Sequence, residues 1–191
     1  MIVHFDHSIA ICRIAPYCER PVAEMLPKLR PLNDQFELGK FDTSEYVRRA
    51  GEMIGFTGTE AEFIEAFGDI FELNQPVADL IDELSAAGHR LCLLSNTNAI
   101  HVPFFTKKWS GVFRHFDQAV FSHEVGLMKP DPAIFDVTIE LLGLDPSNTI
   151  YIDDLPDNCK NGAAAGLRAF QYSTDRHGEL LDTIASFEME R

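Results

Sequence analysis

Three polar clusters, each closing a short apolar run, could act together on a phosphate group. Asp153-Asp154 follows Thr149-Ile-Tyr-Ile152. Two adjacent carboxylates there repel one another unless a cation shares them. Mg²⁺ accepts one or two carboxylates alongside water and phosphate oxygens, which suits the pair. The plainer alternative is a helix N-cap with a charged first turn, and Asp157 fits that better than the pair does. Lys129 lies in Gly126-Leu-Met-Lys-Pro-Asp131, between a glycine turn and a proline-led helix start. Most lysines are solvated charge, but one held this way reads as a fixed cation for phosphate. Its chain has no evident apolar face to cover, so it is expected to matter for phosphate and little for folding. Ser95-Asn96-Thr97-Asn98 follows Leu91–Leu94. A hydroxyl and N–H groups at a turn before a helix can cradle an oxyanion. Ser and Asn are also the commonest turn residues, so taken alone this run reads as an ordinary turn.

Elements at a regular beat must position these clusters. From Gln75 onward, helix and strand alternate. Val77, Leu80, Ile81 and Leu84 recur at helical spacing before Gly88. Arg90–Leu94, Gln118–Phe121, Thr149–Ile152 and Arg168–Tyr172 are short apolar runs suited to buried strands. Asp131-Pro132 starts a helix that runs to Gly143, and a small-residue helix spans Asn158 to Ala165. Strands separated by single helices imply a parallel sheet, with ligands beyond the strands' carboxyl ends. All three clusters sit at such ends. Residues 8–73 differ: helix patterns broken by Pro16, Pro21, Pro27 and Pro31, with no convincing strand. Asp42-x-x-Glu45 and Thr57-x-x-Glu60 resemble capping boxes. Phe63, Ile64, Phe67, Ile70 and Phe71 form a helical stripe whose simplest use is core packing.

The 191 residues suffice for one core domain and a small second lobe, and 46% are hydrophobic. A net charge of −14 disfavours nucleic acid and anionic lipid surfaces as partners. It also means that a phosphorylated substrate needs locally placed cations. Cys12, Cys18, Cys92 and Cys159 form no C-x-x-C pair and read as reduced thiols of a cytoplasmic protein. The opening residues lack the pattern of a signal peptide, and no run reaches the ~18 apolar residues of a membrane helix.

At these clusters the chain resembles the haloacid dehalogenase-like hydrolases, in particular small phosphatases with a helical cap. Leu93-Leu-Ser-Asn-Thr-Asn98 looks like that family's second motif, Gly126–Asp131 like the third, and Tyr151-Ile-Asp-Asp-Leu-Pro-Asp-Asn158 like the fourth. Phe36–Glu45 resembles the cap stretch, and the likeness spans about residues 33–172. The resemblance implies an α/β fold: a Rossmann-like three-layer parallel sheet core from residues 1–7 and 74–191, with a helical cap from 8–73. It implies Mg²⁺-dependent hydrolysis of a small phosphorylated metabolite through an aspartyl phosphate. Lys129 and Asp153 would be catalytic. Ser95, Asn96 and Lys129 would bind substrate, and Asp153 and Asp154 would hold the metal.

The family's nucleophile is an Asp ending the first, central strand. Here Ile2-Val-His-Phe-Asp6 resembles the tail of the segment that follows that strand, which would put nucleophile and strand upstream of Met1. A rival register makes Ile2–Phe5 the first strand and Asp6 the nucleophile, with Ser8 where a second acid is usual and Ala10 where Thr or Val is. The alternative function is a non-catalytic relative that keeps a phosphate or metal pocket. A dehalogenase would leave the acidic pair superfluous. A two-component receiver domain would carry its acidic pair at the first strand, ahead of the Ser and Lys.

Overall fold

The computed structural model describes residues 1–189, which divide into two compact units: Ile2–Met128, and Met1 with the residues from Lys129 on.

The larger unit opens with β1 (Val3–Phe5) and four helices: α1 (His7–Ile14), α2 (Val22–Glu37), α3 (Thr43–Ile54) and α4 (Glu60–Gly68). Then follow β2 (Phe71–Leu73), α5 (Gln75–Ala86), β3 (Cys92–Ser95), α6 (His101–Lys108), α7 (Ser110–Phe113), β4 (Gln118–Phe121) and α8 (Ser122–Val125). β3 and β4 pair in parallel, with Ser95 opposite Phe121. The helical stretch packs on an aromatic core. The Phe36 and Tyr46 rings stack at 4.2 Å and Phe67 lies 5.4 Å from Tyr46. Tyr46, only 2% exposed, satisfies its hydroxyl by donating to Asn33 Oδ1 at 2.7 Å.

The smaller unit holds α9 (Pro132–Leu142), β5 (Ile150–Asp153), α10 (Pro156–Ala164), β6 (Arg168–Gln171) and α11 (His177–Met189). β5 and β6 pair in parallel, Ile150 with Arg168 through Asp153 with Gln171. The expected α/β class and parallel pairing are therefore present. Among the described residues, the strands form three two-stranded sheets.

Several local expectations need correction. A strand does occur in the helical stretch: Phe71 leaves the apolar stripe to enter β2, which pairs antiparallel with β1. Three residues leave no periodicity to detect, and the partner is remote in sequence. That pairing also removes the rival register, because Val3–Phe5 does not join the parallel strands. Asp6 instead caps α1, accepting from Ser8 N at 2.8 Å. Helix α2 runs unbroken through Pro27 and Pro31. Each proline removes one intrahelical hydrogen bond and costs roughly 3 kcal/mol. Val22, Leu29 and Phe36, buried at a seven-residue spacing, hold the helix in place against that cost. The second capping box falls at Thr59 and Glu62, two residues beyond the expected pair. Asp157 lies in the first turn of α10, with Leu155 at the N-cap.

All four cysteines are free thiols. Among the described residues, no helix is long and apolar enough to cross a membrane.

Candidate functional site

Asp153 ends β5 and is only 4% exposed. An ionised carboxylate offers about four acceptor positions, and four protein donors meet this one. Oδ1 accepts from Leu155 N at 3.0 Å and Asn158 Nδ2 at 2.9 Å. Oδ2 accepts from Lys129 Nζ and from the Tyr151 hydroxyl, each at 2.6 Å. Burial opposes ionisation of Asp153. The charge and hydrogen bond of Lys129, with the bonds from Tyr151 and Leu155, outweigh it and hold the carboxyl below the usual aspartate range.

Lys129 is buried, its side chain 9% exposed. Its ammonium lies 5.8 Å from the centre of the Tyr151 ring. Lys129 is thus half of an ion pair with Asp153, a partner that the expectation of little weight in folding did not include. The proline-led helix start that fixes its neighbourhood is as expected, with Asp131 accepting from Ala133 N at 2.9 Å at the N-cap of α9. Asn161 Nδ2 adds a brace from α10 by donating to Pro130 O at 2.8 Å.

Asp154 is exposed. The two carboxylates thus differ sharply in environment. Asp153 could ligate a metal directly only if one of its four donors gave way. Mg²⁺ held through one carboxylate, water and phosphate oxygens is ordinary coordination, and the exposed carboxylate of Asp154 is open to solvent. No group of three or more His, Cys, Asp or Glu suited to a metal occurs among the described residues. Burial lowers the pKa of the Met1 α-amino group, while the charges of Asp154 and Asp153 oppose that shift.

In the larger unit, Ser95 ends β3 half-buried, and its Oγ donates to Asn96 O over a long 3.4 Å. So weak a bond leaves the hydroxyl easily redirected toward an oxyanion. The turn beneath it is rigid. Ser122 Oγ accepts from Thr97 N and donates to Thr97 O, both at 3.0 Å. Asn98 Oδ1 accepts from Ile100 N and His101 N, both at 3.1 Å, at the start of α6.

Sequence reasoning missed Tyr151, Asn158 and Ser122. Tyr151 was detectable: residues two apart on a strand share a face, so it had to lie beside Asp153. Ser122 directly follows β4, but its link to Thr97 joins two strand ends that the sequence separates. Asn158 carries the same single-turn offset from the strand end that any helix start shows, which gives no distinguishing signal.

Comparison with known proteins bears on the family and the fold. The D-ribitol-5-phosphate phosphatase of Bacteroides thetaiotaomicron is 30% identical over 143 residues, covering 72% of this chain and 69% of that protein. A HAD family enzyme of the same organism, solved with magnesium and inorganic phosphate, superposes with a TM-score of 0.79 at 25% identity, over 90% of this chain and 89% of that one. A predicted HAD-like hydrolase from Porphyromonas gingivalis gives 0.76 at 26% identity, over 94% and 92%. The expected architecture, a Rossmann-like α/β core with a helical cap, is the fold these relatives share with it. With residues 19–166 matching the model of the haloacid dehalogenase-like hydrolases, the chain belongs to that family.

Proposed function

We propose that the protein is a Mg²⁺-dependent phosphate monoester hydrolase acting on a small phosphorylated metabolite, by the aspartyl-phosphate route that its family resemblance implies. The observation that carries this reading is the buried Lys129–Asp153 pair beside the exposed carboxylate of Asp154. Asp153, held ionised by its donors, fixes the lysine ammonium, and Lys129 supplies positive charge that a phosphoryl oxygen can accept. Asp154 is the residue that would hold Mg²⁺. When bound, the ion neutralises charge on the phosphoryl oxygens. The family resemblance would give Ser95 and Asn96 of the larger unit a role in phosphate binding, through the hydroxyl and the turn. Residues 8–73 act as the cap that selects the substrate. The magnesium and phosphate bound by one relative, and the polyol phosphate named for another, support the metal and the substrate class.

A second reading, a non-catalytic relative that keeps the pocket, is favoured by one observation. Asp6 caps a helix beside an antiparallel strand pair, so it is no candidate for the nucleophile. Release of nitrophenol from p-nitrophenyl phosphate, with and without Mg²⁺, separates the two. Magnesium-dependent release supports the hydrolase. Phosphate binding without release supports the second reading, and loss of both refutes the two together.

A further inference from the structure

The side chain of Tyr151 is more than filling. Its hydroxyl donates to the same Asp153 oxygen that receives the Lys129 ammonium, both at 2.6 Å. The ring has a seat built for it. Phe135 meets it edge-on at 5.4 Å. On α10, residue 162 is glycine, and a Cβ there would come within 2.6 Å of Tyr151 Cδ1 and 3.0 Å of Cε1. The ring could not lie where it does over any other residue type. The Lys129 ammonium lies on the ring's side, 5.8 Å from its centre.

Two donors on one oxygen constrain each other. With the phenol occupying one acceptor position of Oδ2, the ammonium is confined to the other. Its remaining N–H directions are thereby set. Without the phenol, the ammonium could move between the two acceptor positions of Oδ2, since Leu155 N and Asn158 Nδ2 still fill Oδ1, and its charge would no longer be presented in one place. We infer that Tyr151 is a positioning residue, which aims Lys129 at a phosphate oxygen by sharing Asp153 Oδ2 with it. The inference rests on the proposed role of Lys129 in phosphate binding.

Inorganic phosphate titrated calorimetrically into the full chain with Mg²⁺ tests it. Tyr151→Phe keeps the ring and removes one hydroxyl, and phosphate affinity should fall about tenfold, as expected for one charge-assisted hydrogen bond. Gly162→Ala crowds the ring and should weaken phosphate in the same direction, so the inference does not depend on one variant folding. Ile134→Val, fully buried in α9 and outside the cluster, controls for lost packing and should leave affinity unchanged. The Lys129 ammonium resonance in NMR gives a second readout, and it should shift and exchange faster with water in Tyr151→Phe. Wild-type affinity in Tyr151→Phe, with an unchanged lysine resonance, overturns the inference while leaving the proposed function standing. Absence of phosphate binding in the wild-type chain overturns both.

Discussion

Lys129→Ala should destabilise the fold as well as the site. The substitution leaves Asp153, only 4% exposed, without its cation. Removing one partner of a buried ion pair costs about 3–5 kcal/mol, because the remaining charge is stranded. Here the Tyr151 hydroxyl, Leu155 N and Asn158 Nδ2 still donate to it. Those bonds place the expected loss near the lower end, about 3 kcal/mol, or roughly 10 °C in melting temperature for a chain of this size. The pH dependence gives a second handle. The Asp153 pKa is depressed in the folded wild type, so its stabilisation is present above the ordinary aspartate range and is lost as pH falls through the depressed value. In the variant the lysine no longer opposes burial, so the carboxyl takes up a proton at higher pH. The deficit should be full at pH 7 and shrink toward pH 4. Urea unfolding followed by circular dichroism at both pH values measures it. The double variant Lys129→Met with Asp153→Asn should recover most of the loss, since no buried charge then lacks a partner. A loss below about 1 kcal/mol at pH 7, or one that grows on acidification, would refute the coupling described here.

Two further outcomes follow from the same structure. Asp154→Asn should abolish or greatly weaken Mg²⁺ binding in calorimetry while leaving the melting temperature unchanged, since the side chain is exposed and Asp153 keeps its four donors. Glu37 ends α2 half-buried, and burial with the nearby Asp34 charge pushes its carboxyl up to about 7. A raised acid favours the folded state at low pH, and that advantage is lost as pH rises from the ordinary glutamate value of about 4.3 to 7, a difference of roughly 4 kcal/mol. Glu37→Gln should therefore gain stability at pH 8 and none at pH 4, as read by thermal unfolding at the two pH values.

The sequence was most legible where local rules act alone. The Asp131-Pro132 start, the stop at Gly143 and the four parallel strands follow from capping chemistry and apolar runs within a few residues. The chemistry-bearing residues at β3 and β5 were legible for the same reason: a polar residue closing a buried strand is conspicuous. What escaped notice depends on partners far away in the chain. Pro27 and Pro31 forecast a broken helix, yet tertiary burial of Leu29 and Phe36 keeps α2 continuous. Lys129 was legible as a fixed cation for phosphate but not as half of an ion pair, because its carboxylate partner lies 24 positions on. Strand β2 was hidden because three residues can be specified by their partner more than by themselves.

The ladder between β1 and β2 also has an architectural consequence. Val3 faces Leu73 and Phe5 faces Phe71, and Asp6 N donates to Ile70 O just beyond. The chain therefore leaves for its four helices and returns from them at adjoining points, like the two pins of a plug. Everything between Asp6 and Ile70 is an excursion with a closed base. Such a base lets the excursion be lengthened, shortened or exchanged for another with matching ends, while the strands that hold it keep their register. Asp153 and its donors lie in a different compact unit of the chain.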